Sequence, residues 1–188
     1  MYALFLILAL LIVALIKNIS LRRENEKLKQ QAAIDDLTGL LNRRGLAREL
    51  KLEMDRSDRY GRKLSVLFMD LDGFKKLNDT EGHIEGDRHL AYVGETIKRY
   101  TRSSDLCARY GGDEFVVVLP ETDNNSAKIF AKKLLADHKI KASIGITEYK
   151  PGEDVSPLEL IDRADEMMYK IKRSKEKIIL LPSKVRSN

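Results

Sequence analysis

The chain has 188 residues, room for one ordinary domain with an appendage and too little for two. At 43% hydrophobic and 34% charged, with four prolines and 11 glycines, it is not disordered, collagenous or of low complexity. Its single cysteine, Cys107, excludes an internal disulfide and a zinc cluster and points to a reducing compartment. The net charge of +5 is uneven: residues 1–30 hold five basic and two acidic side chains, a local basic collar rather than a nucleic-acid-binding face, so no nucleic acid partner is expected.

From Met1 to Ile16 no residue is charged, and the segment 1–18 is expected to be a single-pass transmembrane anchor. Sixteen residues cover about 24 Å of helix against a hydrocarbon core of ~30 Å, so Asn18 to Leu21 would have to extend the span. A buried core helix is the other reading of so short a run; a cleaved signal peptide lacks its basic n-region and its small-residue cleavage site. The collar that follows puts the N-terminus outside the cell (inner) membrane and everything from Lys17 onward in the cytoplasm. Residues 19–34 lack Gly and Pro and continue as a helical linker. Leu21, Asn25, Leu28 and Ala32 step by four, three and four, a coiled-coil seam whose polar Asn suits a parallel dimer; two heptads also fit a solvated spacer.

The remaining chain divides into a folded domain, 35–182, and a basic tail, 183–188. Asp35 to Gly45 is turn-rich, Leu46 to Arg59 reads as an amphipathic helix ended by Gly61, and Leu64 to Met69 is an apolar run of strand length that stops at Asp70-Leu71-Asp72-Gly73. Phe74 to Leu77 reads as a helical turn and Ile84 to Tyr100 as a long helix. Leu106 to Tyr110 and Phe115 to Leu119 are strands joined by the turn Gly111-Gly112-Asp113-Glu114. Ser126 to His138 is helical, Lys141 to Ile146 a strand, Pro157 to Arg173 a helix and Ile178 to Leu181 a last strand. This order is that of an α+β fold of split βαβ type, with helices covering a mostly antiparallel central sheet.

Asp70 ends one strand and Asp113 tips the hairpin, so their carboxylates converge if the two elements are neighbours in the sheet. Two oxygen ligands with the carbonyl of Leu71 beside them suit Mg²⁺, which completes its shell with water and phosphate oxygens; standing alone, two loop aspartates are more often solvated turn residues. Gly111 and Gly112 let a nucleotide lie against the turn, and Lys75 offers a point charge to a phosphate. Asn78, His83 and Asp87 surround a short loop, where Asn and Asp supply the donor and acceptor that a guanine edge requires; a turn, a cap or a backbone partner are their plainer uses.

Asp70–Asp87 (DLDGFKKLNDTEGHIEGD) and Arg109–Phe115 (RYGGDEF) resemble the GGDEF family of diguanylate cyclases, as do Asp35–Arg44 (DDLTGLLNRR) and Ser143–Ile146 (SIGI). Four blocks in the family's order make the resemblance specific. It implies a palm-like domain of nucleotide-cyclase type that condenses two GTP into cyclic di-GMP and two pyrophosphates. By matching position it implies Asp70, the Leu71 carbonyl and Asp113 as ligands of Mg²⁺, or of Mn²⁺ in its place, with Glu114 assisting. Asp113 is then also the base for the 3′-hydroxyl, Lys75 the stabiliser of the transition state, Asn78, His83 and Asp87 the nucleotide contacts beside Gly111 and Gly112, and Lys172 a contact of the triphosphate. One GTP per domain implies a homodimer with domains facing antiparallel.

Arg102-Ser103-Ser104-Asp105, taken bare, is a helix end with a salt bridge. Within the family the same motif at this spacing is the inhibitory site for product, which implies feedback by cyclic di-GMP at Arg102 and Asp105. Two departures stand out: Glu176, flanked by Lys175 and Lys177, occupies the place of a phosphate-binding arginine, and the 28-residue step from Phe115 to Ser143 implies a trimmed connection before the last strands. The alternative to an enzyme is a catalytically idle, membrane-tethered receptor for cyclic di-GMP.

Overall fold

Eight consecutive residues, Leu64–Leu71 (β2), are buried, as befits a strand covered on both faces. The computed structural model describes residues 11, 15–20, 33–173 and 178–180. The flanking strands are Leu41–Asn42 (β1), Leu106–Gly111 (β3), Glu114–Pro120 (β4), Ala142–Tyr149 (β5) and Ile178–Leu180 (β6). They form one six-stranded sheet in the order β1-β3-β4-β2-β5-β6. The β3/β4, β4/β2 and β2/β5 pairs are antiparallel, and the two edge pairs, β1/β3 and β5/β6, are parallel. The α+β class is the one the element order implies, with a mixed sheet that is antiparallel through its centre and parallel at both edges.

Side chains alternate across β2, and the alternation divides the core. Leu67, Met69 and Leu71 face a cluster supplied by the helices His83–Tyr100 and Asn124–Leu135, through Leu90, Val93, Ile97, Ala127, Ala131 and Leu134. Leu64, Val66 and Phe68 face the other cluster, supplied by Arg43–Tyr60 and Pro157–Lys172 through Leu46, Leu50, Met54, Leu160, Ile161, Ala164 and Met168. In chain order the helices are α1 (Arg43–Tyr60), α2 (Phe74–Glu81), α3 (His83–Tyr100), α4 (Asn124–Leu135) and α5 (Pro157–Lys172).

The helix ends follow local chemistry. Asn42 accepts hydrogen bonds from the amides of Arg44 and Gly45, so α1 starts three residues before its apolar periodicity does. Gly61, at φ 66°, closes it. Ser156 and Glu159 form a reciprocal capping box in front of α5, with Pro157 in its first turn. The expected helical turn at Phe74 is a full helix, α2, and only Gly82, at φ 87°, separates it from α3. Helix α4 passes to β5 through residues 136–141 with no hairpin between them, as the short spacing implies.

Clustering of contacts divides the chain into two units, residues 1–32 and 33–188. Among the described residues no helix is long and apolar enough to cross a membrane. This corrects the expected anchor over 1–18 and the inner-membrane, single-pass localisation drawn from it: the apolar run breaks at Lys17, after too few residues to cover a hydrocarbon core as a helix. Residues 11 and 15–18 of that segment are helical; its remaining residues, the seam at Leu21, Asn25, Leu28 and Ala32, and the basic tail lie outside the described residues.

Candidate active site

Asp70 is the last even-numbered residue of β2, so it continues the row of Leu64, Val66 and Phe68 and emerges on the α1/α5 side of the sheet. Its neighbour across the sheet on one side is Glu114, the first residue of β4, and on the other Ser143. The two-residue turn between β3 and β4 is Gly112-Asp113, with Gly112 at φ 44°, a conformation that favours glycine. The carbonyl of Asp113 accepts a hydrogen bond from the amide of Leu71 at 3.2 Å, which pins the hairpin tip to the end of β2. The structure therefore brings Asp70, Leu71, Asp113 and Glu114 together, and the pairing of β2 with β4 is the reason.

The charges here are poorly balanced. Burial raises the Asp70 carboxyl above its ordinary range, the Lys172 ammonium opposes that, and the charges of Asp113 and Asp72 add to it. Glu114 is raised by burial and then by Asp70, Asp165 and Asp113. Asp165 is raised by burial and by Asp162. The cation among these acids is Lys172, whose Nζ lies 2.6 Å from Asp70 Oδ1. Sequence reasoning assigns Lys172 to a triphosphate; the structure places it on the carboxylate.

Among the described residues no group of three His, Cys, Asp or Glu side chains is arranged to hold a metal ion. The donor set nonetheless fits a hard divalent cation: two carboxylates, a strand-end carbonyl and an excess of buried negative charge suit an ion that takes few protein ligands. Asp72, the other acid of the strand end, accepts a hydrogen bond from Ser143 Oγ at 2.8 Å, so it is held by β5.

Of the residues expected to contact a nucleotide, Asn78 lies on α2 with its Oδ1 buried and without a hydrogen-bond partner. A Cβ on Gly86 of α3 would come within 1.9 Å of that oxygen, so a glycine there makes the space in which the amide sits. His83 and Asp87 are exposed on the first turns of α3, and Lys75 is exposed on the first turn of α2. Buried acceptors without a partner are uncommon.

Arg102 and Asp105 sit at the far end of β3 from the Gly112-Asp113 turn, a strand length of about 20 Å. The Asp105 carboxylate accepts from the amide of Arg102 at 2.7 Å, and the Asp105 amide returns a bond to the Arg102 carbonyl at 3.1 Å. The aspartate thus closes its own turn through the backbone, in place of the salt bridge of the bare reading, and the Arg102 side chain is exposed. A cavity of about 370 Å³ adjoins the pair, lined also by Leu40, Lys98 and Cys107.

Sequence reasoning missed a second charged link. Asp35 accepts from the amide and hydroxyl of Thr38 at 2.9 and 2.7 Å, and its other oxygen meets Arg109 Nη1 at 3.3 Å. Arg109 Nε in turn donates to the carbonyl of Gly112 at 3.0 Å. Both residues belong to motifs visible in the sequence, but their pairing across the fold is not. Lys175, Glu176 and Lys177 lie outside the described residues.

A sheet of this order, flanked by helices and with an acidic cluster where two strand ends meet a glycine hairpin, defines a palm-like α+β domain. The chain matches the family model described as "Diguanylate cyclase, GGDEF domain" over residues 32–177, and it belongs to that family. Among curated relatives it is 41% identical over 164 residues to the bifunctional diguanylate cyclase/cyclic di-GMP phosphodiesterase MucR of Pseudomonas aeruginosa, covering 81% of this chain and 24% of that one. It is 39% identical over 170 residues to the diguanylate cyclase DosC of Escherichia coli, covering 82% and 36%. The chain thus spans only about a quarter to a third of the length of these relatives. Among solved structures it is similar to the coiled coil and GGDEF domain of DgcB from Caulobacter crescentus in complex with c-di-GMP, with a TM-score of 0.73, 27% identity and coverage of 92% of this chain and 98% of that one. It is also similar to the diguanylate cyclase SiaD of Pseudomonas aeruginosa in complex with its activator SiaC, with a TM-score of 0.72, 32% identity and coverage of 90% and 69%.

Proposed function

We propose that this chain is a diguanylate cyclase, with residues 35–182 as its catalytic domain, that joins two GTP into cyclic di-GMP and releases two pyrophosphates. The observation that carries the reading is the acidic cluster of Asp70, Asp113 and Glu114, held at one end of the central strands by the β2/β4 register and by the bond from Leu71 to Asp113. Family membership and relatives named as diguanylate cyclases support it.

Asp70, the Leu71 carbonyl and Asp113 would hold a divalent cation, Mg²⁺ or Mn²⁺, with Glu114 assisting. When bound, such an ion neutralises phosphate charge and acidifies an attacking hydroxyl. Asp113 takes the proton of the 3′-hydroxyl, and the 3′-oxygen bonds to the α-phosphorus of the second GTP while pyrophosphate leaves. The reciprocal attack closes the ring. Lys75 and Lys172 meet the phosphates as point charges. The buried Oδ1 of Asn78 accepts from a guanine N–H, Asp87 accepts beside it, His83 flanks the base, and Gly111 and Gly112 leave the backbone open to the nucleotide. Because each domain holds one GTP, the reaction requires a second copy facing the first antiparallel, and most of the acceleration comes from positioning and electrostatics. Arg102 forks onto the product and Asp105 accepts from its guanine, which gives feedback inhibition.

The test is incubation with GTP and Mg²⁺, with products resolved by chromatography and mass, beside Asp113→Ala. Cyclic di-GMP from the wild type and none from Asp113→Ala is the expected result, with Arg102→Ala relieving product inhibition. Binding of cyclic di-GMP without turnover at any protein concentration would replace the enzyme with a receptor.

A further inference from the structure

The position of Lys172 is unexpected for a residue that serves a triphosphate. It ends α5, whose path along the sheet is fixed by Gly145 of β5: a Cβ there would lie 2.1 Å from the Ala164 carbonyl and 2.2 Å from the Met168 amide. That close approach lets the last turn of α5 deliver an ammonium to the strand end of β2. The ammonium meets Asp70 Oδ1 at 2.6 Å, and the pair is lopsided, with the Asp70 side chain 11% exposed and that of Lys172 37%. The carboxylate is fixed in the sheet, whereas the lysine reaches it from the open side on a flexible stem and can leave.

From this geometry we infer that Lys172 is the resident counter-ion of Asp70 in the free protein, and that a divalent cation enters the site by displacing it. The inference rests on the proposed metal role of Asp70. An ammonium and a metal ion cannot share one carboxylate oxygen without strong repulsion, so the lysine competes with the ion. A single ammonium faces the carboxylates of Asp70, Asp113 and Glu114, which explains why a better counter-ion can win. Phosphate oxygens give the displaced ammonium a new partner. Metal and nucleotide therefore help each other: the ion alone must break the Lys172–Asp70 pair, and a nucleotide compensates for that break. By linkage the help is reciprocal.

The readout is Mn²⁺ binding to the whole chain, followed by electron paramagnetic resonance or calorimetry without turnover. Without nucleotide, Lys172→Met should bind Mn²⁺ more tightly than wild type by about three- to tenfold, the scale of a partly screened ion pair. Lys172→Arg, which keeps the charge, should stay close to wild type, and Asp70→Asn should weaken binding in every background. A non-hydrolysable GTP analogue should tighten Mn²⁺ binding in wild type by a larger factor than in Lys172→Met. Lys172→Gln is the second neutral variant, should Lys172→Met lose its thermal transition. Mn²⁺ binding that is unchanged or weaker in both neutral variants, yet weakened by Asp70→Asn, overturns the inference and leaves the metal site standing. Binding indifferent to Asp70→Asn, or absent with and without the analogue, overturns the inference together with the proposed metal role.

Discussion

A Cβ added at Gly86 would lie 1.9 Å from Asn78 Oδ1, the end of a side chain that can rotate away. A Cβ added at Gly145 would strike the backbone of α5, which cannot. The two substitutions to alanine should therefore fail in different ways. Gly86→Ala is expected to keep or slightly raise stability, because alanine is the better helix former by about 1 kcal/mol. It should raise KM for GTP by about tenfold, the value of one hydrogen bond to the base, because the amide can no longer point where it does. Gly145→Ala should lower stability by about 1–3 kcal/mol through overpacking. Steady-state kinetics beside urea unfolding separates the two; a destabilised Gly86→Ala with normal KM would remove Asn78 from the nucleotide site.

Strand β3 joins two places with different proposed duties, Arg102/Asp105 at its start and the glycine turn at its end, and Asp35 grips the turn end through Arg109. Burial raises the Asp35 carboxyl, but hydrogen bonds from Thr38 and the Arg109 charge outweigh it and hold the group below its ordinary value. The folded state thus favours the carboxylate, and its contribution is complete at neutral pH and fades as pH falls through the depressed value, below about pH 4. Asp35→Asn should be less stable than wild type at pH 7, and the difference should shrink as denaturation is followed into acid. A difference independent of pH would mean that shape, not charge, makes the link. At this scale the sequence was a good guide where one element suffices: β2 is a continuous apolar run, and α1, α3 and α5 carry periodic apolar faces. The two residues of β1 were not legible, because they are a strand only through pairing with β3. Helix α2 buries no residue completely, so periodicity could not mark its full length. The acidic cluster was legible because its members end strands in recognisable motifs. The Asp35–Arg109 and Lys172–Asp70 pairs were not, since each joins residues far apart in sequence whose meeting depends on the finished sheet.

For the molecule as a whole, the decisive feature is that one domain carries one acidic cluster and one proposed nucleotide cradle, while the proposed cyclic product needs two attacks. In the proposed reaction each attacking hydroxyl is served by the Asp113 of its own domain and strikes the GTP held by the other. A mixed pair of wild type and Asp113→Ala can therefore perform one attack and not its reciprocal, and the chemistry halts at a linear dinucleotide that still bears a triphosphate. Wild type titrated with excess Asp113→Ala should lose cyclic di-GMP and accumulate that linear product, by mass. Wild type alone should show specific activity rising with protein concentration until pairing saturates. If cyclic product per wild-type chain is unaffected by the variant, and activity is strictly proportional to protein, a single domain completes both attacks and the paired arrangement is wrong. A fall in cyclic product without any linear species would instead place Asp113 in a role shared by both attacks, such as holding the ion that organises the paired site.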